Sequence, residues 1–134
     1  MGIKPDTQGE LTPEQEAKVR AHHSAYFEVL GGGDLNALAE VFTFPAVLKG
    51  FLEDVVVATD ATSLAAHYEA LIAAAPKATR TEAREVTVAL VRPNVYMATF
   101  AYAQFDANDQ LVHTGKAIYF MKEVDGAMKL FAVF

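Results

Sequence analysis

The chain has 134 residues, 52% of them apolar, and its 17 acidic and 11 basic residues leave a net charge of -6. That length suits one well-filled core and gives no reason to expect two domains. An acidic balance without any Lys/Arg run argues against a nucleic-acid partner, because nothing could neutralise a phosphate backbone.

Apolar stretches such as Val55-Val56-Val57-Ala58 are far shorter than the roughly 20 residues a membrane-spanning helix requires. The first residues lack a positive-then-apolar signal pattern, so a cytoplasmic chain without membrane contact is expected. There is no cysteine, which excludes disulfides, zinc-thiolate sites and thiol nucleophiles.

Residues 1–12 carry Gly2, Pro5 and Gly9 with little apolar content and read as a flexible lead-in or tag, leaving 13–134 as the single domain. Thr12-Pro13-Glu14-Gln15 matches an N-cap, a first-turn Pro and the Gln of a capping box. A helix starts there: Val19, His22/His23, Tyr26, Phe27 and Leu30 recur at three- and four-residue spacing until Gly31-Gly32-Gly33 ends the run. Asp34 caps a second, short helix with Leu35, Leu38, Ala39 and Phe42 on one face, and Pro45 ends any continuation. From Ala46 to Ala58, β-branched residues around Gly50 and Glu53-Asp54 predict a hairpin turning near Phe51 to Glu53. Asp60-Ala61-Thr62-Ser63 caps a third helix carrying Leu64, Tyr68, Leu71, Ile72 and Ala75, closed by Pro76.

Everything after Lys77 is strand-like. Glu85 to Arg92, Val95 to Phe105, Leu111 to Glu123 and Met128 to Phe134 are separated by short turn sequences and predict an antiparallel meander. Helices first and strands later make an α+β fold with helices packed on one sheet face. The strands are apolar on both faces: Ile118 and Phe120 alternate with Ala117, Tyr119 and Met121, and Phe100 and Tyr102 oppose Met97 and Phe105. Three helices cannot cover both faces, so the outer one is expected to pair with a second copy of the chain as a homodimer.

This order, together with the stretch from Tyr26 to Phe42 (aromatic, glycines, Asp34-Leu35, apolar, aromatic), Phe44-Pro45 before a hairpin, and Asp125-Gly126 before the last strand, resembles the nuclear-transport-factor-2-like superfamily over Glu14 to Phe134. That group includes ketosteroid-isomerase-like and polyketide-cyclase-like proteins. The resemblance implies a cone-shaped roll: a curved sheet wrapped round the long helix, with an apolar pocket at its open end. Ketosteroid isomerases in the group use a helix tyrosine as oxyanion donor, a carboxylate base and a protonated aspartate. Tyr26 falls at the tyrosine's place, but the base's place falls near Lys49-Gly50 and the second acid's near Ile118, which argues against enolisation by that scheme.

The four histidines are the natural acid-base candidates near neutral pH. His22 and His23 are neighbours on the first helix, one of them beside Tyr26 on the apolar stripe; His67 flanks Leu64 and Leu71. His113 is one of few ionisable groups inside a predicted strand, and alternation puts Lys116 on the opposite face from it. No Asp or Glu is expected inside the last four strands, which leaves dyads, paired carboxylates and metal sites without support and calls for no cofactor. Glu53 and Asp54 are the best carboxylates for the mouth of the cone, with a solvated turn as the plainer reading. Gly31-Gly32-Gly33 ends a helix where a phosphate loop would open one.

Aromatic residues supply the rest. Tyr26, Tyr68, Phe100, Tyr102, Tyr119 and Phe120 could wall a pocket with a few hydroxyl handles, although such residues also serve simply as core. The candidate ligand-contacting set is therefore Tyr26, His22, Lys49, Tyr68, Phe100 and Tyr102, with His113 and Ile118 from the third long strand. Tyr26 and His113 are the catalytic candidates. Three functions follow from this set: a small-molecule-binding protein, an isomerase, dehydratase or cyclase-like enzyme on an apolar oxygen-bearing metabolite, or a non-catalytic dimeric interaction module.

Overall fold

A computed structural model describes residues 9–50, 52–75 and 78–134. Most of the lead-in, the hairpin position Phe51 and the helix-closing Pro76 fall outside them. Helix α1 spans Pro13–Gly31. Its capping box forms: the Gln15 N–H donates to the Thr12 hydroxyl at 3.1 Å and the Thr12 N–H donates to the Gln15 side chain at 2.9 Å. Two orphan donors of the first turn are thereby satisfied. Val19, His23 and Tyr26 are its buried residues, one stripe at four- and three-residue spacing. The helix ends in glycine, with Gly33 at φ 79°, a conformation that costs glycine little.

The second helix is a 3-10 segment, Leu35–Glu40, capped by Asp34. It stops earlier than expected. Phe42, assigned from the sequence to that helix's apolar face, instead opens strand β1, Phe42–Leu48. The reason is long-range: the Leu130 N–H donates to the Val41 carbonyl at 2.9 Å, which recruits the backbone into the sheet. β1 pairs antiparallel with β2, Val56–Ala58, in the register Ala46 opposite Ala58, which is the expected hairpin. Helix α2, Ala61–Ala74, begins as read, with the Ser63 N–H donating to Asp60 at 2.8 Å.

The four later strands are β3 Arg80–Arg92, β4 Val95–Phe105, β5 Leu111–Val124 and β6 Ala127–Val133. The six strands form one sheet in the order β2-β1-β6-β5-β4-β3, antiparallel except where β1 lies parallel to β6. β3 begins at Arg80 and not at Glu85 as the sequence suggested. Its Arg80 to Arg84 segment pairs with β4 before a bulge at Glu85, which sits at φ 54°. The bulge shifts side-chain parity, so Ala83 and Val88 face the same side opposite Tyr102 and Ala98. Glu82 and Glu85 thus lie within a late strand, against expectation; Glu82 pairs with Arg80 and Arg84, both more than a third exposed.

Helix α1 packs across β3, β4 and β6. The core between helices and sheet holds Val19, Leu38, Leu48, Leu64, Met121 and Leu130, all fully buried. Burying each such side chain contributes about 1.5–3 kcal/mol. Among the described residues no helix is long and apolar enough to cross a membrane.

Candidate functional site

Between α1, α2 and the inner face of β3 to β6 lies a cavity of ≈ 870 Å³. Its apolar wall comes from Phe27 and Leu30 of α1, Leu71 and Ile72 of α2, and Phe100 and Ala117 of the sheet. Gly50 closes one side with φ 56°, and a Cβ there would stand 2.8 Å from the Leu71 side chain. A single methyl at this position would have both backbone strain and a clash.

Three tyrosines form the most deeply buried part of the lining. The Tyr26 and Tyr68 hydroxyls share a hydrogen bond at 2.7 Å, and Tyr26 is hydrogen-bonded in turn to Tyr119. The three are 2%, 2% and 6% exposed. Desolvation, with the mutual repulsion that ionised phenols would feel, raises all three pKa values well above the ordinary phenol range. They are neutral hydroxyls at any working pH, able to donate and accept but not to act as bases.

Higher on the wall a second polar group is held by the sheet. Tyr102 on β4 stands directly opposite Gly115 on β5, and Gln104 opposite His113. The Tyr102 hydroxyl and His113 Nε2 are hydrogen-bonded at 3.1 Å, with ring centroids 5.5 Å apart. Tyr102, Gln104, His113 and Gly115 all line the cavity. The phenol crosses Gly115 so closely that a Cβ there would lie 2.5 Å from the Tyr102 Cζ and 2.9 Å from Cε1. Burial raises the Tyr102 pKa too, keeping its proton on.

Five of the eight candidate ligand-contacting residues therefore line one cavity, Tyr26, Tyr68, Phe100, Tyr102 and His113, and Tyr119 from the aromatic wall joins them. Three do not. His22 turns the other way, its Nε2–H donating to the Val41 carbonyl at 2.9 Å. Lys49 donates from Nζ to the Leu52 carbonyl within its own loop. Ile118 lies on the outer sheet face, 40% exposed, because β5 presents its odd-numbered residues inward. Phe120 shares that outer face and packs near Phe131 and Phe134. Glu53 and Asp54 are exposed loop residues away from the lining.

Gly115 and Gln104 also line the cavity and were not among the residues singled out from sequence. Gly115 carried a legible signal, since glycine inside a strand marks close approach by another group. His23, not His22, belongs to the stripe beside Tyr26: its ring packs against Phe27, Phe100 and Tyr119 just behind the wall. Among the described residues, no cluster of three His, Asp or Glu could hold a metal ion.

No protein-family model matches the chain, and no curated protein is similar to it in sequence. Solved structures are similar in fold. A protein of unknown function with a cystatin-like fold from Nostoc punctiforme aligns with TM-score 0.77 at 13% identity, covering 93% of this chain and 92% of that one. Aln2 from a Streptomyces species aligns with TM-score 0.74 at 16% identity, covering 93% and 91%. A nuclear-transport-factor-2-like protein of unknown function from Pseudomonas putida aligns with TM-score 0.74 at 12% identity, covering 93% and 87%. At such identities the likeness concerns the fold and not the chemistry. Helices packed on a six-stranded mixed sheet, in this order and with these neighbours, give the chain the cystatin-like, nuclear-transport-factor-2-like fold.

Proposed function

We propose that this protein binds an apolar, oxygen-bearing small molecule in the cavity between its helices and sheet. The observation that carries this reading is the cavity itself: ≈ 870 Å³ walled by Phe27, Leu30, Leu71 and Phe100, with phenol and imidazole groups set into the wall. Apolar walls supply affinity and a few polar groups fix orientation. That open volume supports ligand binding over a purely structural role with a cone filled by its own side chains. The test is fluorescence titration with 2-naphthol. One saturable site is expected in the wild type, and Ala117→Phe, which adds a benzyl ring to the wall beside Phe100, should weaken it. Equal binding by that variant would sink the proposal.

A second reading, an isomerase, dehydratase or cyclase-like enzyme, is favoured by one observation: Tyr102 and His113 place a proton donor and acceptor on the cavity wall. The three-group ketosteroid-isomerase scheme gains no support, because Lys49 and Ile118 stand where its carboxylates would be and neither lines the cavity.

The outer sheet face pairs with a second copy of the chain in this reading. Ile118 and Phe134 are each 40% exposed there, beside the Phe120 and Phe131 rings. An aromatic and β-branched face of this kind is costly to leave in water.

A further inference from the structure

We infer that Tyr102 and His113 act as one anchor for the ligand's oxygen, a hydroxyl or keto group, and that Gly115 is the positioning residue that makes the anchor possible. The inference rests on the cavity-binding reading above and names the chemistry of its polar end.

Strand register brings the three residues together. Tyr102 and Gly115 are direct cross-strand partners, so a side chain at position 115 would occupy the space above β5. With only hydrogen there, the phenol lies down across the strand, close enough that an added Cβ would overlap its Cζ and Cε1. It reaches the imidazole two residues along the same face, at 3.1 Å. Aromatic rings cover strand glycines in this way because the gap supplies van der Waals contact that no other partner would fill. The consequence here is chemical. The phenol oxygen is held on the cavity wall with one of its hydrogen-bonding directions committed to His113.

The remaining direction is open to a ligand, and it can take either sign. When the phenol donates to Nε2, its oxygen lone pair accepts a ligand's hydroxyl proton; when Nε2–H donates to the phenol oxygen, the phenol's own proton is given to a ligand's carbonyl. The pair is thus matched to an oxygen that is a hydroxyl or a keto group. The tyrosine trio beneath differs. Its members are nearly fully buried and bonded to one another, so they serve packing before recognition.

The experiment compares 2-naphthol with 2-methylnaphthalene, a near-isostere without the oxygen, by fluorescence titration of the wild type, Tyr102→Phe and Gly115→Ala. The wild type is expected to prefer 2-naphthol by roughly tenfold, the size of one well-placed hydrogen bond. Tyr102→Phe should remove that preference while leaving 2-methylnaphthalene binding unchanged. Gly115→Ala should remove it too, although the phenol is still present, because the ring is displaced. Where either variant fails to fold, His113→Leu, which takes away the phenol's hydrogen-bond partner, should lower the preference. Binding of both probes without preference, or a preference that survives Tyr102→Phe, overturns the anchor and leaves the cavity reading standing. Failure of the wild type to bind either probe overturns both.

Discussion

The imidazole of His23 lies 4.4 Å, centroid to centroid, from the ring of Phe100, and its Nε2 is buried with no hydrogen-bond partner among the described residues. Phe27 and Tyr119 close over it from the other sides. A neutral imidazole behaves there as an aromatic core residue. A charged one would have no counter-ion among the described residues and would face the nearby positive charge of Arg20.

That arrangement sets a pH dependence. Desolvation first, and Arg20 second, lower the His23 pKa from 6.5 to about 4. The folded state therefore binds its proton later than the unfolded chain does. Stability from this group is complete above the unfolded value and falls as pH drops towards the folded one, by about 3 kcal/mol in all. His22 and His67, whose values burial also lowers, act in the same direction. Thermal melts between pH 7.5 and 4 should show the midpoint falling, and His23→Leu should flatten the fall. An unchanged slope in the variant would assign the loss elsewhere.

Tyr26 is the shared member of the phenol chain, hydrogen-bonded to both Tyr68 and Tyr119. Tyr26→Phe leaves two buried hydroxyls short of a partner and should cost about 1–3 kcal/mol. Tyr68→Phe removes a terminal member and should cost less. Urea denaturation of both single variants and the double variant gives the coupling, which is expected to be non-additive for groups in direct contact. Additive losses would mean that the hydroxyls do not act as a chain.

Gly115→Ala forces the Tyr102 ring off β5. The ring can swing, so the fold should survive with a loss of roughly 1–3 kcal/mol from displaced packing. Gly50→Ala should be worse tolerated, because φ 56° is strained for alanine and the clash is with Leu71 in the cavity wall. Comparing the two melting temperatures checks the order, and a milder effect at position 50 would contradict it.

Ile118 carries the prediction for assembly. If the outer face pairs with a second copy, sedimentation velocity of the wild type should report about twice the 14.5 kDa chain mass. Ile118→Asp, at a position 40% exposed in the single chain, should return the species to one chain without lowering its melting temperature by more than the loss of the interface. A wild type that sediments as a single chain at high concentration would refute the pairing.

Much of the architecture was legible in local pattern. The capping boxes at Thr12 and Asp60, the glycine stop after Leu30, and the turn residues Asn94, Asp109 and Asp125, each at positive φ, are decided by a few neighbouring residues, so the chain's order alone reveals them. Period-two alternation likewise put Tyr102 on the same face as Phe100 and set Ile118 apart from Tyr119.

What remained hidden depended on partners far away in sequence. Phe42 became strand because β6 claims the backbone beside it through Val41 and Leu130. The first turn of α1 could not say which of His22 and His23 would be buried, since a rotation of one residue, set by packing against Phe100 and Tyr119, decides it. The pairing of Tyr102 with Gly115 and His113 is a matter of strand register, which arises only when β4 and β5 close against each other. Local preferences fix elements because they act over one or two turns; a site assembled from several elements exists only once tertiary contacts have chosen the register and the face.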